Sequence, residues 1–354
     1  METPRLTPEQ RAAILADVLP WVQRFTGRIV VIKHGGSTLG PAGGTPGPGE
    51  GGAGAVPEGR AGAAAATAAA APPPAVGVAA TVAAPAAATP AAAAVAGDDA
   101  VLRDIAMLHA LGIKPVVVHG GGKAITAWLD RLGLPARFVD GLRVTDAATL
   151  TVVEMVLAGQ VNKALVTGLN RAAGEGRAIG LSGCDGQLLV ARPRRVAGRD
   201  LGYVGEIVRV NTALLERLLA GGFIPVIAPV AADERGTHYN VNADDAAAAV
   251  AGALRAEKLV FLTDVPGVMV DADGDGVPEP LSRLDAAAAR EFIARGEIRG
   301  GMVPKVEAGL RALAAGAGSV HIIDGRRPHA LLVELFTSEG VGTMVVAGER
   351  GRVA

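Results

Sequence analysis

Cysteine is almost missing from this chain of 354 residues. The single cysteine, Cys184, excludes an internal disulfide. The segment after Met1 also lacks the basic and apolar regions of a secretory signal. We therefore expect a protein of the reducing cytoplasm.

Aromatic residues and an excess of charge are scarce as well. Phe, Trp and Tyr make up 3% of the residues, while Ala and Gly enlarge the apolar share, which favours helices packed tightly against a sheet. Lys plus Arg number 34 and Asp plus Glu 35, for a formal charge of -1. This balance provides no global field for nucleic acid or an anionic membrane, so we expect a small-molecule partner, no nucleic acid and no membrane.

A segment from about residue 39 to 97 consists almost entirely of Ala, Gly and Pro, with no charged residue between Arg60 and Asp98. Its apolar windows reach the length of a membrane span, but alanine is barely favourable in lipid and Pro72 to Pro74 interrupt any helix. The composition is too weakly hydrophobic to offset the entropy of ordering. It predicts a disordered surface insertion.

Outside this segment, short apolar strands alternate with alanine-rich helical stretches. Continuous apolar strands between helices predict an α/β fold with a mainly parallel sheet covered on both faces. Ligands of such sheets bind at the carboxyl ends of the strands. The predicted strands are Ile29 to Ile32, Pro115 to Val118, Phe223 to Ile227, Lys258 to Leu262 and Val320 to Ile323.

A helix is predicted to begin at Thr7, which supplies a capping oxygen and is followed by Pro8 and by a reciprocal glutamine, Gln10. Apolar residues then recur at helical spacing up to Phe25, and Pro20 removes one backbone donor. Such a helix either docks on its own domain or pairs with another subunit.

Two glycine loops directly follow predicted strands. Gly35 and Gly36 follow the first strand, and Gly120 to Gly122 follow the second. Backbone N–H groups of such loops bind anions, although glycines also serve tight turns without a ligand. Ala124 follows Gly122-Lys123, so the Walker sequence is missing, as is the G-x-G-x-x-G dinucleotide pattern.

Charged and amide side chains accompany these loops. Lys33 directly follows the first strand, Lys305 lies near a glycine pair, and Asp244 follows Asn240 and Asn242. The competing interpretations are helix capping for the Asn/Asp segment and an exposed first-turn position for Lys305. Cations and backbone donors around a transferring group suit phosphoryl transfer, which asks little covalent chemistry of the protein. Together these residues predict transfer of the γ-phosphoryl group of ATP.

The run from Asp271 to Gly276 resembles the start of a calcium loop. Its twelfth position is Ser282 instead of a bidentate glutamate, and its flanks look like strands. We expect a polar hairpin there, and no metal site made by the protein itself.

Five strings occur in the order in which they occur in acetylglutamate kinases, within the amino acid kinase family: Gly141 to Asp146, Val153 to Leu157, Val161 to Lys163, Gly180 to Gly183 and Asn240 to Asp244. The chain resembles that family everywhere except at the insertion near 39 to 97. The resemblance implies a three-layer αβα sandwich with a mainly parallel central sheet. It also implies the second step of arginine biosynthesis, in which N-acetyl-L-glutamate and ATP with Mg2+ give N-acetyl-L-glutamyl 5-phosphate and ADP.

The resemblance further implies roles for individual residues. Lys33 and Lys305 stabilise the transferring phosphoryl group, and Asp244 orients both lysines. The implied substrate-binding residues are Gly121, Gly122, Arg143 and Asn240. The implied phosphate- and nucleotide-binding residues are Gly35, Gly36, Thr263, Asp264 and Gly301.

The N-terminal helix and the segment from His321 to Arg326 are similar to the arginine-inhibited branch of the family, in which that helix interlaces dimers into a hexamer. The similarity implies a homohexamer with arginine as an allosteric inhibitor, held by His321, Glu334 and Gly340. It leaves open whether a nitrogen-signalling regulator of the PII type binds.

We expect an N-terminal oligomerisation helix at 1–27, a substrate lobe at 28–232 that contains the insertion, and an ATP and arginine lobe at 233–354. Two alternatives remain. One is a related carboxylate kinase of lysine biosynthesis acting on a carrier-linked aminoadipate, against which the arginine-type C-terminal segment argues. The other is an arginine sensor that has lost catalysis, against which the retained lysines, Arg143 and Asp244 argue.

Overall fold

A computed structural model describes residues 6–35, 99–196, 198–271 and 277–348. The predicted insertion at 39 to 97 and Gly36 therefore lie outside the described residues.

The core of the fold is an eight-stranded sheet in which seven strand pairs are formed, six of them parallel. Its order is β14-β16-β15-β11-β1-β2-β8-β5. These strands are β1 (Ile29–His34), β2 (Lys114–His119), β5 (Ala178–Ser182), β8 (Ile224–Ala228), β11 (Lys258–Thr263), β14 (Arg283–Asp285), β15 (Ser319–Asp324) and β16 (Thr343–Val346). The predicted mainly parallel sheet is confirmed, and only β16 runs antiparallel to its neighbour β15.

Helices cover both faces of this sheet. Val31 belongs to one buried apolar cluster, while its neighbours Val30 and Ile32 belong to the other, because successive side chains of a strand point to opposite faces. The three-layer αβα arrangement follows. The helices are α1 (Pro8–Phe25), α2 (Asp99–Ala110), α3 (Gly122–Arg131), α4 (Ala147–Glu154), α5 (Asn162–Ala173), α6 (Thr212–Ala220), α7 (Ala243–Ala253), α8 (Ala286–Ala294), α9 (Met302–Ala314) and α10 (Ala330–Phe336).

Smaller elements surround the sheet. A closed four-stranded barrel contains β6 (Leu189–Val196), β7 (Arg199–Val210), β9 (Val230–Ala232) and β10 (His238–Val241). Two short hairpins pair β3 (Phe138–Val139) with β4 (Leu142–Arg143), and β12 (Met269–Val270) with β13 (Glu279–Pro280). The second hairpin confirms the strands predicted around the calcium-like run, most of which lies outside the described residues.

Helix α1 begins as predicted, with Thr7 and Gln10 forming a capping box. Phe25 at its end is buried, whereas Leu15 and Leu19 are 70% and 53% exposed. The helix therefore docks through its C-terminal end and leaves an apolar face uncovered in this chain.

One described helical run, 147–173, is long and apolar enough to cross a membrane by length and composition alone. Half of its apolar window is buried within the fold. Leu165 and Leu169 of this run are fully buried in the apolar cluster that includes Val30. The run thus packs as a core helix of this fold.

Candidate active site

Two lysines converge on one carboxylate at the carboxyl edge of the sheet. The Lys33 Nζ, near the end of β1, lies 2.8 Å from Asp244 Oδ1. The Lys305 Nζ, in the first turn of α9, donates to Asp244 Oδ2 at 2.7 Å. Asp244 thus joins residues separated by more than 200 positions in the sequence.

Burial and mutual contact shift the pKa values of Lys33 and Asp244. Lys33 is 7% exposed and Asp244 is 6% exposed. Burial and the neighbouring Lys305 lower the pKa of Lys33, while Asp244 opposes this shift. Burial acts to raise the pKa of Asp244, but the two lysines outweigh it and the pKa lies below its usual value. The carboxylate is therefore ionised and held, and is not a free base.

Helix capping by Asn242 positions the backbone of Asp244. Asn242 is the N-cap of α7, and its Oδ1 accepts hydrogen bonds from the N–H groups of Asp244 and Asp245 at 2.8 and 3.2 Å. The capping interpretation of this segment is thus confirmed for Asn242. Asn240 is different, because it lies in β10 and its Nδ2 donates to Thr145 Oγ1 at 3.1 Å.

A pocket of about 220 Å³ opens beside this trio. Its wall includes both charged and amide side chains and the second glycine loop, which confirms that these separate segments meet at one sheet edge. Among the lining residues are Lys33, Gly120, Gly121, Gly122, Arg143, Asn240 and Asp244.

Arg143 enters the pocket on the β3–β4 hairpin. The turn residues Asp140 and Gly141 both have positive φ, 47° and 78°, as an Asp-Gly hairpin turn requires. The Arg143 Nη2 donates to Gly122 O at 3.0 Å and to Thr126 Oγ1 at 2.9 Å, and the guanidinium lies 4.7 Å from the centre of the Phe138 ring. Its buried Nη1 has no hydrogen-bond partner in the described chain. A buried donor of this kind in a pocket wall suits an anionic ligand.

The loop Gly120 to Gly122 brings backbone N–H groups to the same pocket. A Cβ at Gly121 would lie 2.5 Å from Leu157 Cδ2, so a larger residue there would require the Leu157 side chain to move. Within the described residues, neither the Gly121 nor the Gly122 N–H donates to a backbone carbonyl. Helix α3 begins at Gly122, so its positive dipole end adds to these donors.

The amino acid kinase family profile matches residues 87–324 of this chain. The chain belongs to the amino acid kinase family. Acetylglutamate kinase of Gloeobacter violaceus is 44% identical over 347 residues, which cover 97% of this chain and 95% of that protein. These findings confirm the resemblance inferred from the sequence strings.

Solved structures share the amino acid kinase fold. N-acetylglutamate synthase from Neisseria gonorrhoeae superimposes with a TM-score of 0.69 at 24% identity, over 96% of this chain and 64% of that chain. Carbamate kinase from Giardia lamblia gives a TM-score of 0.60 at 13% identity, over 91% of this chain and 99% of that chain. At these identities the likeness concerns the fold alone.

The residues expected around the nucleotide of this amino acid kinase are dispersed. Gly301 lines a second cavity of about 630 Å³, next to the first, at the start of α9. Thr263 is buried, and its Oγ1 donates to Val265 O at 2.8 Å and Ile323 O at 3.2 Å. Asp264 is exposed and lines neither cavity, and Gly35 follows β1 directly. The structure thus gives the Thr263 hydroxyl a role in joining β11 to β15, and its part in nucleotide binding stays a prediction.

The three residues expected around arginine lie together: His321 is in β15, Glu334 is in α10, and Gly340 lies between α10 and β16. His321 Nδ1 and Glu334 Oε1 are 2.5 Å apart, and both residues are buried. Glu334 Oε2 accepts from the Val341 N–H at 2.7 Å. A Cβ at Gly340 would lie 2.9 Å from the same Oε2, and the φ of Gly340 is +64°.

Sequence reasoning missed Lys258 in this cluster. The Lys258 Nζ lies 2.9 Å from His321 Nε2 and 5.4 Å from the centre of the Phe25 ring of α1. Burial lowers the pKa of Lys258 to about 8. The sequence did contain a signal for Lys258, because it is the charged first residue of an otherwise apolar strand. A lysine next to an apolar strand is also what marked Lys33 as a candidate.

No group of three or more His, Cys, Asp or Glu side chains suited to a metal occurs within residues 6–35, 99–196, 198–271 and 277–348.

Proposed function

We propose that this amino acid kinase transfers the γ-phosphoryl group of ATP to N-acetyl-L-glutamate, giving N-acetyl-L-glutamyl 5-phosphate and ADP in arginine biosynthesis. The observation that carries the proposal is the pair of lysines held on Asp244, beside a pocket in which a buried arginine nitrogen lacks a partner. The relatives named acetylglutamate kinase, at 44% identity over nearly the whole chain, support the choice of acceptor.

The chemistry needs no general base. The side-chain carboxylate of the acceptor is already ionised at neutral pH, so one of its oxygens forms the new bond to the γ-phosphorus. The bond from that phosphorus to the bridging oxygen breaks, and its electron pair leaves with ADP. Each carboxylate oxygen of Asp244 faces one lysine ammonium group, which fits a site that aligns charges and moves no proton.

The chain's own residues supply charge and alignment. Lys33 and Lys305 face the same carboxylate and are placed to neutralise the oxygens of the transferring group. Arg143 would bind the α-carboxylate of the acceptor, and the N–H groups of Gly121 and Gly122 would hold its reacting end. Gly301 at the start of α9 would lie beside ATP, whose Mg2+ neutralises phosphate charge when bound.

The acceptor is tested by measuring ADP release with N-acetyl-L-glutamate, L-glutamate and N-substituted aminoadipate, each with MgATP. We expect turnover with N-acetyl-L-glutamate alone. Faster turnover with the aminoadipate derivative would assign the chain to the lysine-type kinases, and no turnover with any acceptor would support a sensor.

Replacing Arg143 by glutamine is expected to raise the KM for N-acetyl-L-glutamate about 10- to 100-fold, because a charge-assisted hydrogen bond to a carboxylate is lost. The KM for ATP should change much less. Arg131→Gln is the matched control, since Arg131 also stacks on a ring, Trp128 at 5.3 Å, but lies outside the pocket lining. Equal KM values for the acceptor in both variants would remove Arg143 from the substrate site.

Arginine inhibition, cytoplasmic location and hexamer formation belong to the same proposal. The buried Glu334 carboxylate, fixed by His321 and the Val341 N–H, offers a partner for the cationic groups of arginine. The uncovered residues Leu15 and Leu19 of α1 support association of that helix with another subunit. Sedimentation velocity of the full chain measures the number of subunits.

Glu334→Gln is expected to raise the arginine concentration for half-inhibition at least about tenfold, because a buried charged partner is lost. The measurement is ADP release at a fixed acceptor concentration over a range of arginine. Glu339→Gln is the control, since this acidic residue lies on the same segment but is exposed. An unchanged half-inhibition value in Glu334→Gln would place the effector elsewhere.

A further inference from the structure

A fully buried polar pair lies directly behind the second glycine loop. His119 ends β2 and Asn162 begins α5, and both are 0% exposed. The Asn162 Nδ2 lies 3.2 Å from His119 Nε2, and His119 Nδ1 lies 2.9 Å from Gly120 O. The chemistry described above uses neither side chain.

The surroundings of Asn162 decide which way its amide points. The nitrogen Nδ2 lies 2.9 Å from Val226 O and 3.4 Å from Leu181 O, and carbonyl oxygens only accept hydrogen bonds. The oxygen Oδ1 receives the Lys163 Nζ at 3.0 Å, and an ammonium group only donates. Both ends therefore require the same orientation, with the NH2 group facing His119.

The amide orientation in turn decides the tautomer of His119. A proton on Nε2 would face the NH2 group of Asn162, so two donors would meet. The ring nitrogen Nε2 is therefore the acceptor, and the proton lies on Nδ1, where it is donated to Gly120 O. Burial lowers the pKa of His119 to about 4, which keeps the ring neutral at physiological pH.

We infer that His119 and Asn162 are positioning residues for the substrate-binding glycine loop. The Nδ1–H group of His119 holds the Gly120 carbonyl, and because a trans peptide points its N–H opposite to its C=O, the Gly121 N–H is turned away from the ring and left available to the ligand. The inference rests on the proposed function in one respect, that this loop binds the acceptor.

Gly180 gives independent support, because it leaves the space that Asn162 occupies. A Cβ at Gly180 would lie 2.0 Å from Asn162 Oδ1 and 2.8 Å from Lys163 Nζ. The φ of Gly180 is not in the left-handed region, so room for the amide is what this glycine provides. Gly180→Ala thus displaces Asn162 without changing any group of the pocket.

The first test is nitrogen-15 NMR, without substrate, of full-length protein labelled with nitrogen-15 at both histidine and glycine. We expect His119 to carry its proton on Nδ1 from pH 6 to 9, and the Gly121 amide signal to shift in both Asn162→Ala and Gly180→Ala. A proton on Nε2 in the wild-type protein, or an unmoved Gly121 signal in both variants, would overturn the inference.

The second test is kinetic. Asn162→Ala and Gly180→Ala should each lower kcat/KM for N-acetyl-L-glutamate at least about tenfold. In Asn162→Ala the Nε2 of His119 loses the donor that favours the neutral ring, so the pKa of His119 should rise and kcat/KM should fall at a higher pH on the acid side than in the wild-type enzyme. Leu165→Ala, a buried change one turn further along α5, should lower Tm while keeping kcat/KM. Equal kinetic losses in Leu165→Ala and Asn162→Ala would overturn the positioning role.

A rescue experiment separates the two ring nitrogens. An asparagine at position 119 places its NH2 group near the position of Nδ1, whereas glutamine reaches the position of Nε2. His119→Asn should therefore retain about tenfold more kcat/KM than His119→Gln. If the wild-type enzyme shows no turnover, the proposed function fails, and the NMR results alone then decide the positioning role.

Discussion

Lys33→Met is expected to lower kcat at least about a thousandfold with MgATP and N-acetyl-L-glutamate. Methionine keeps most of the volume of the side chain and removes the charge. Lys33 is 7% exposed, so water does not replace its ammonium group at the transferring oxygens. Steady-state ADP release at saturating substrates measures the loss. Because the charge acts on the transition state, kcat should fall far more than the KM values rise.

Lys114→Met is the matched control, since Lys114 begins the neighbouring strand β2 at the opposite edge of the sheet. It should retain wild-type kcat.

The pH profile adds a second readout. The pKa of Lys33 is lowered from the ordinary lysine value of 10.5, so Lys33 loses its charge at a lower pH than an exposed lysine does. As pH rises through that pKa, kcat of the wild-type enzyme should fall. A Lys33→Met enzyme with kcat within tenfold of wild type would rule out the assigned role.

Local patterns in the sequence predicted five of the eight strands of the sheet, and β5, β14 and β16 were not among them. The apolar run predicted for 29–32 lies within β1, and the one predicted for 258–262 lies within β11, each missing only residues at the carboxyl end. Lys33 and Thr263 are among those missed residues, because a polar side chain ends an apolar run in a sequence although the backbone pairing continues. Both residues belong to the candidate site predicted from the sequence, so the predicted strands stop just short of it.

Contacts between segments that are distant in the sequence could not be predicted from such local patterns. The contact between Lys305 and Asp244 spans 61 residues, and no periodicity links the two positions. Family resemblance grouped them, and geometry then showed that one carboxylate holds both lysines. The contact of Lys258 with His321 likewise joins two strands of the sheet and spans 63 residues.

Asp244→Asn should lower kcat about 100- to 1,000-fold and also destabilise the fold. The amide cannot neutralise two ammonium groups, so Lys33 and Lys305 would repel each other in a buried site. The pKa of Lys33 should then fall further, which removes its charge when it is needed. Leaving a buried charge without its partner costs about 3–5 kcal/mol, measurable as a lower free energy of unfolding in urea.

Asp104→Asn distinguishes loss of catalysis from loss of stability. Asp104 is a carboxylate with 1% exposure whose Oδ1 lies 2.7 Å from His329 Nδ1, away from the pocket. Its replacement should lower stability and keep kcat.

In the double variant Asp244→Asn/Lys33→Met, kcat should fall little below that of Lys33→Met alone, because each single change already breaks the ion pair between Lys33 and Asp244. Part of the lost stability should return, since one uncompensated charge is gone. Multiplicative losses of kcat would show instead that Asp244 and Lys33 act independently.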